Sequence, residues 1–229
     1  MVNSTLPEGD TSAKKRQLFI VEDHPIFSHG LVQLISGEPD LEVRGTASSA
    51  PVALSELRNH ACDAVIVDIS LRGTNGLELI KHIRTEHPEL PLLVLSMHDE
   101  SIYALRALRA GAGGYLMKCE DPETFIGGVR KVMAGEVAVS PQFSQQLIFQ
   151  VLKSNGEGNP VDQLSDRELE VLDLVGRGRS SRDIAADLHL SIKTVESHRL
   201  RIKEKLTLKT AAEMVRFAVE WVNLEKGLS

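Results

Sequence analysis

From Gln17 to about Ala138 the chain alternates short apolar runs with amphipathic stretches of helical period. Four runs are continuously apolar or nearly so: Leu18-Phe19-Ile20-Val21, Ala64-Val65-Ile66-Val67, Leu92-Leu93-Val94-Leu95 and Gly114-Tyr115-Leu116-Met117. Such runs, too short for buried helices, read as strands covered on both faces. A further strand is predicted near Leu41–Ala47, and helices over about Ile26–Ser36, Pro51–Asn59, Gly76–Glu86, Ser101–Ala110 and Pro122–Met133. Turn residues at Gly37-Glu38-Pro39-Asp40, His87-Pro88 and Gly111 fall where those helices should stop. Strand and helix in strict alternation predict successive βαβ units around one parallel sheet.

The pattern changes after Pro141. A helix is predicted to Lys153, followed by the polar linker Ser154-Asn155-Gly156-Glu157-Gly158-Asn159-Pro160. Beyond it no strand pattern remains, and three or four helices are predicted at about Asp166–Gly176, Arg182–Leu188, Ile192–Leu206 and Thr210–Asn223. Ser165 with Glu168 three residues on forms a capping box for the first of them. The boundaries divide the chain into residues 16–138, a connecting segment 139–160, and a helical domain 161–229.

A length of 229 residues accommodates two small domains, and 42% hydrophobic with 25% charged residues is ordinary for a globular protein. Met1 to Lys15 is polar and fits neither a signal peptide nor a membrane span, so a cytoplasmic protein without a membrane partner is expected. Cys62 and Cys119 lack the spacing of a metal site and read as reduced thiols. The net charge of −6 conceals an uneven distribution. Residues 161–229 balance 12 basic against 12 acidic side chains, while Lys193 to Lys209 carries six basic residues against Glu196 and Glu204. That local surplus is a candidate contact for a polyanion.

The chemistry-bearing residues sit at the strand ends. Glu22 and Asp23 follow the first run, Asp68 the second, Ser96 the third and Lys118 the fourth. In an open parallel sheet the carboxyl ends of the strands share one crevice, where ligands collect. Alone, an aspartate after a strand is usually a turn former and a lysine there is usually solvated. Gathered together, three carboxylates, a hydroxyl and an ammonium suit a divalent cation and a phosphoryl group. Mg²⁺ takes hard oxygen ligands, which Glu22, Asp23 and Asp68 offer. Asp68 is then a candidate nucleophile toward phosphorus, with Lys118 and Ser96 meeting the phosphoryl oxygens.

These residues occur in words that resemble a known family. Val21-Glu22-Asp23-His24-Pro25, Val67-Asp68-Ile69-Ser70-Leu71 with Asn75-Gly76, Leu95-Ser96, and Gly111-Ala112-Gly113-Gly114-Tyr115-Leu116-Met117-Lys118 resemble the receiver domains of two-component response regulators. The resemblance implies a flavodoxin-like, doubly wound α/β domain of five parallel strands in the order 2-1-3-4-5. It also implies that Asp68 accepts a phosphoryl group from a sensor histidine kinase. Glu22, Asp23, Asp68 and the backbone carbonyl of Ser70 would hold Mg²⁺. Ser96 and Lys118 would contact the phosphoryl group, and Ser96 and Tyr115 would act as switch residues. Leu71-Arg72 stands where many receivers have Met-Pro, and Cys119 where many have proline, leaving the isomer of the Lys118–Cys119 peptide open.

In the helical domain a short helix, a turn at His189-Leu190-Ser191 and a longer helix form the arrangement that lays a second helix in a DNA major groove. Helical period turns Val195, Ile202, Leu206 and Ile192 broadly inward and leaves Lys193, Ser197, Leu200, Arg201 and Lys205 outside. The words Leu164-Ser165-Asp166-Arg167-Glu168, Asp183-Ile184-Ala185, Thr194-Val195-Glu196-Ser197-His198-Arg199 and Lys205-Leu206 resemble the LuxR-type helix-turn-helix. By that resemblance Thr194 contacts the DNA backbone and Glu196, Ser197 and Leu200 face the groove. Lys193, His198, Arg201 and Lys205 would lie nearer to phosphates, and His198 reads equally as a packing residue. The last helix carries Ala211, Met214, Val215, Ala218 and Val222 as an apolar stripe that closes the domain.

The combination is similar to NarL/FixJ-type response regulators and implies a non-enzymatic, DNA-binding transcription regulator that acts as a homodimer on DNA. One expectation is that phosphorylation at Asp68 releases the recognition helix from obstruction by the receiver. The alternative is a phosphorylation-independent regulator whose receiver is structural. An enzymatic phosphotransferase is disfavoured, because no Gly-rich loop follows the first strand and no second aspartate stands two residues after Asp68.

Overall fold

The computed structural model describes residues 14–71, 75–153 and 160–225. Most of the polar N-terminal tail, Arg72 of the altered loop and nearly all of the polar linker fall outside the described residues. Five strands alternate with five helices in the first domain: β1 (Arg16–Val21), α1 (Pro25–Ser36), β2 (Leu41–Ala47), α2 (Ala50–Asn59), β3 (Ala64–Val67), α3 (Gly76–Glu86), β4 (Leu92–Ser96), α4 (Glu100–Ala110), β5 (Gly114–Met117) and α5 (Pro122–Met133). All pairings are parallel and the order is β2-β1-β3-β4-β5, as the doubly wound expectation requires.

The sheet divides its core in two. On one face Leu18, Ile20, Ile66, Leu93 and Leu95 meet Leu31 and Ile35 of α1 and Phe125, Ile126 and Val129 of α5. On the other, Phe19, Val21, Val65, Val67 and Val94 meet Ala53 and Leu57 of α2, Leu77 and Ile80 of α3, and Tyr103 and Ala104 of α4. Strands buried on both faces cannot alternate polar with apolar residues, which is why they read as continuous runs.

Caps set the helix starts. Asn75 accepts a hydrogen bond from the backbone N–H of Leu77, Asp99 from Ser101 and Asp121 from Thr124. Gly111 ends α4 in the left-handed conformation at φ 108°, which a side chain would strain.

After α6 (Pro141–Lys153) a 3₁₀ turn at Pro160–Gln163 leads into four helices: α7 (Asp166–Gly176), α8 (Ser181–Asp187), α9 (Ile192–Lys205) and α10 (Ala211–Glu225). The Ser165–Glu168 capping box is formed, and Ser180–Asp183 makes a second. Val171, Leu172, Val175, Ile184, Val195, Ile202, Met214, Ala218 and Trp221 fill the core of this domain. Gly176 fits closely against α10: a Cβ there would lie 2.5 Å from the Ala218 carbonyl oxygen. Ile192, expected inward, is instead exposed, because it opens α9 with no preceding helical turn to cover it.

Among the described residues no helix is long and apolar enough to cross a membrane. Both cysteines are free thiols, and burial pushes Cys62 up to about 11.

Candidate functional site: an acidic crevice and an exposed basic helix

Parallel strands deliver their carboxyl ends to one edge of the sheet, and the expected residues meet there. Glu22, Asp23 and Asp68 bring carboxylate oxygens within 4.8 Å of one another, a donor set of hard oxygens that fits a divalent cation. The Lys118 Nζ donates to Asp68 Oδ2 at 2.9 Å and pairs with Glu22 Oε2 at 2.6 Å. The same Nζ lies over the Phe27 ring, 4.5 Å from the centroid.

Charge and burial act on each other here. Burial pushes the Glu22 carboxyl up, the Asp68 charge adds to this, and Lys118 only partly offsets them. Burial alone would lower the Lys118 ammonium, but Asp68 and Glu22 hold it above its ordinary value. Three carboxyl groups thus gather around a single ammonium, an arrangement suited to taking a cation.

The loop after β3 is shaped around Asp68. Its Oδ1 accepts from the Ser70 backbone N–H at 3.0 Å, and a Cβ on Gly76 would lie 2.2 Å from the Asp68 carbonyl oxygen. Ser96, at the end of β4, is fully buried, and its hydroxyl accepts from the His98 N–H at 3.1 Å. Tyr115 is also fully buried, and its hydroxyl donates to the His98 carbonyl at 2.8 Å. The Lys118–Cys119 peptide is trans.

One participant, His98, carried no signal in the sequence. The Ser70 hydroxyl lies 2.9 Å from His98 Nε2, and the His98 ring stacks on Tyr103 at 4.5 Å. A histidine two residues beyond a strand has no distinguishing pattern, so only the fold reveals this contact.

The second candidate surface is α9. Its N-cap Ser191 accepts from the Thr194 N–H, and Val195 and Ile202 anchor the helix inward. Lys193, Glu196, Ser197, Leu200 and Arg201 are exposed, and Leu200 presents 52% of its surface. Three expected DNA contacts are otherwise engaged. Lys205 binds Glu168 at 2.7 Å and the Gln163 carbonyl at 3.1 Å, and Glu196 accepts from the Ser181 hydroxyl. His198 is half-buried with its Nδ1 enclosed and lacking a hydrogen bond, and burial followed by the Arg167 charge pushes it below its ordinary value. Of the two readings the sequence left for His198, packing fits this environment.

The domains touch through α7 and the segment that leads into it. Asn75 Nδ2 donates to Glu170 Oε1 at 2.7 Å, Lys81 to Asp166 at 2.8 Å, and Arg106 to the carbonyls of Val161 and Leu164 at 2.6 and 2.8 Å. In this structure polar groups at the start of α3 and on α3 and α4 meet acidic residues of α7, and the outer face of α9 is exposed.

Comparisons with known proteins agree with this architecture. Residues 18–130 match the response regulator receiver domain, and residues 162–218 the bacterial regulatory proteins of the luxR family. The oxygen regulatory protein NreC of Staphylococcus carnosus is 32% identical over 210 residues, covering 89% of this chain and 97% of the relative. A LuxR-family two-component response regulator from Aurantimonas sp. SI85-9A1, solved as a crystal structure, is 32% identical with a TM-score of 0.57, covering 61% of this chain and all of the other. RcsB from Salmonella enterica serovar Typhimurium, solved bound to a promoter in the presence of the phosphomimetic BeF3⁻, is 23% identical with a TM-score of 0.60 over 90% of this chain and 99% of its own, a likeness of fold. With the ordered sheet, the acidic crevice and the helix-turn-helix, the chain belongs to the two-component response regulators that join a receiver to a LuxR-type DNA-binding domain and regulate transcription without being enzymes.

Proposed function

We propose that this chain is a cytoplasmic regulator in which Asp68 accepts a phosphoryl group from the phosphohistidine of a sensor histidine kinase, and that this modification controls DNA binding through α9. Residues 16–138 form the phosphoacceptor unit, 139–160 the connection, and 161–229 the DNA-binding unit, which acts as a homodimer on double-stranded DNA. The observation that carries the reading is the convergence of Lys118 with Glu22 and Asp68 beside Asp23.

In the transfer, an Asp68 oxygen bonds to phosphorus as the phosphorus–nitrogen bond of the donor histidine breaks. Lys118, already 2.9 Å from Asp68, is placed to neutralise charge on the incoming phosphoryl oxygens, and the Ser96 hydroxyl to donate to one of them. Mg²⁺, held by Glu22, Asp23, Asp68 and the Ser70 carbonyl, would supply charge neutralisation for the phosphoryl oxygens. Tyr115 and Ser96, both bonded to the His98 backbone, are the residues that report the change. On α9, Lys193 and Arg201 meet phosphates and Thr194 the backbone near the helix start, while Ser197, Leu200 and Glu196 face the groove. Lys205 reaches DNA only after leaving Glu168 on α7, and His198 only after leaving its enclosure.

Intact mass after incubation with Mg²⁺ and a small acyl-phosphate donor tests the chemistry. One phosphate adduct is expected, absent in Asp68→Ala. An adduct that persists in the variant would overturn the assignment of Asp68.

A further inference from the structure

The two helices of the helix-turn-helix are tied together by a short polar chain at the exposed side of α9. The Arg199 guanidinium donates through Nη1 to the Ser181 hydroxyl oxygen at 3.0 Å, and the Ser181 hydroxyl donates to Glu196 Oε1. Ser181 opens α8, and Glu196 and Arg199 stand one turn apart on α9, so a single hydroxyl joins side chains of both helices. The direction of the chain is forced. A guanidinium has no acceptor and a carboxylate no donor, so the hydroxyl must accept from Arg199 and give its only proton to Glu196. Ser181 and Arg199 are half-buried, whereas Glu196 is exposed. Among the described residues no donor reaches its second oxygen, Oε2.

Resting on the reading that α9 enters the major groove, we propose that Glu196 recognises a cytosine there, and that Ser181, with Arg199 behind it, is the positioning residue that fixes the carboxylate for this contact. A carboxylate among phosphates is repelled by the DNA backbone, and a hydrogen bond accepted from a base is what offsets that repulsion. Only adenine N6 and cytosine N4 present a donor in the major groove. The adenine amino group is flanked on both sides by acceptors, its own N7 and O4 of the paired thymine, and a negative oxygen is repelled by both. The cytosine amino group has an acceptor on one side only, O6 of the paired guanine. A side chain that can only accept therefore selects cytosine. A free glutamate would surrender its rotamer freedom on making the contact. Glu196 has given up much of that freedom before DNA arrives, because Ser181 holds Oε1 and leaves Oε2 open. Arg199 polarises the hydroxyl, which strengthens its bond to the carboxylate, and sets a positive charge behind a negative one that must approach phosphates.

Selection from randomised duplexes by the full chain, with Mg²⁺ and the acyl-phosphate donor present, supplies the preferred site. Affinities of the parent and its variants are then measured on that site and on copies carrying each single base-pair change. A cytosine is expected in each half-site whose replacement weakens binding by the parent roughly tenfold. Glu196→Ala should bind the original and the changed site within about twofold of each other, while its preferences at the other positions persist. Ser181→Ala should reduce the cytosine preference to about threefold or less, and Ser181→Thr, which keeps the hydroxyl, should restore it. A merely structural serine would instead weaken binding to every sequence alike. Thermal unfolding followed through Trp221 should be the same in parent and Ser181→Ala, which separates lost positioning from lost folding. A cytosine preference that survives in Glu196→Ala, or a preferred site without such a cytosine, would overturn the base contact and leave groove binding by α9 standing. A preference lost in Glu196→Ala but intact in Ser181→Ala would overturn the role of Ser181. A selection that enriches no sequence with any of these proteins would remove groove recognition by α9, and the cytosine contact with it.

Discussion

Lys118 Nζ lies 2.6 Å from Glu22 Oε2, closer than its 2.9 Å to Asp68, so one ammonium is shared between a candidate metal ligand and the candidate phosphoacceptor. All three side chains are more than nine-tenths buried. Removing the cation leaves Glu22, Asp23 and Asp68 facing one another. Lys118→Ala is expected to destabilise the first domain by about 3 kcal/mol in the absence of metal, the typical cost of breaking a buried pair from one side. Mg²⁺ should restore a larger share of stability to the variant than it adds to the parent, because a cation bound by the folded state alone stabilises by mass action. Urea midpoints with and without Mg²⁺ check this. An equal Mg²⁺ response in the two proteins would remove the carboxylate cluster as the place where the ion binds.

Gly176 and α10 give a prediction confined to the other domain. A methyl group at Gly176 would meet the Ala218 carbonyl oxygen at 2.5 Å and Val222 Cγ2 at 2.6 Å, and backbone cannot rotate away as a side-chain end can. Gly176→Ala should cost about 1–3 kcal/mol by forcing α7 and α10 apart. Trp221, the one tryptophan, lies on α10 against that contact, so its fluorescence follows the loss. Phosphorylation at Asp68 should survive the change, since the crevice lies in the other domain.

The strands and the crevice were legible because a parallel sheet imposes two strong constraints at once. Strands such as Ala64–Val67 must be apolar on both faces, and their carboxyl ends must converge, so Glu22, Asp68, Ser96 and Lys118 could be gathered from chain order alone. Helix starts were legible to within a residue. Asp99 and Ser180 cap α4 and α8 and set their starts at Glu100 and Ser181, and α2 starts at Ala50, each one residue earlier than periodicity suggested. Docking was not legible. Glu170 and Asp173 look like the solvent face of an amphipathic helix, and nothing local distinguishes a carboxylate bound for water from one that meets Asn75 or His98 across a domain boundary. His198 was undecided for a related reason: helical period puts it at the margin between the inward and outward faces of α9, and only the enclosure of its Nδ1 settles which side it joins.

That enclosure gives the helical domain a dependence on pH. His198 is held below its ordinary value by burial, then by the Arg167 charge. The unfolded chain, with a histidine near 6.5, therefore binds the proton more strongly than the fold does. The contribution is complete above the unfolded value and is lost as pH falls below it. Between pH 7.5 and 5.5 the parent should lose more stability than His198→Gln, which cannot titrate. The window lies above the range of Glu168 and Asp173, whose carboxyls are held low by Lys205, and by His98 and Arg177, against the opposing effect of burial. Parallel pH profiles for parent and variant would show that His198 stays neutral or solvated in both states.

Recognition by α9 makes its own quantitative demand. Lys193 and Arg201 are exposed, and neither forms an ion pair among the described residues, whereas Lys205 is tied to Glu168. A side chain that neutralises a phosphate releases condensed counterions, so each such contact contributes about 0.9 to the slope of log affinity against log salt. Lys193→Ala and Arg201→Ala should each lower that slope by nearly one and weaken binding to specific and random DNA alike. Lys205→Ala should change the slope less, while costing stability, because Glu168 loses its partner at the start of α7. Leu200→Ala should leave the slope unchanged and alter only the ratio of specific to random binding, since an apolar side chain in the groove reads base edges rather than phosphates. Fluorescence anisotropy over a salt series with the four variants separates these outcomes. A full unit of slope lost in Lys205→Ala, with none lost in Lys193→Ala, would mean that the helix meets DNA through its C-terminal end rather than its first two turns.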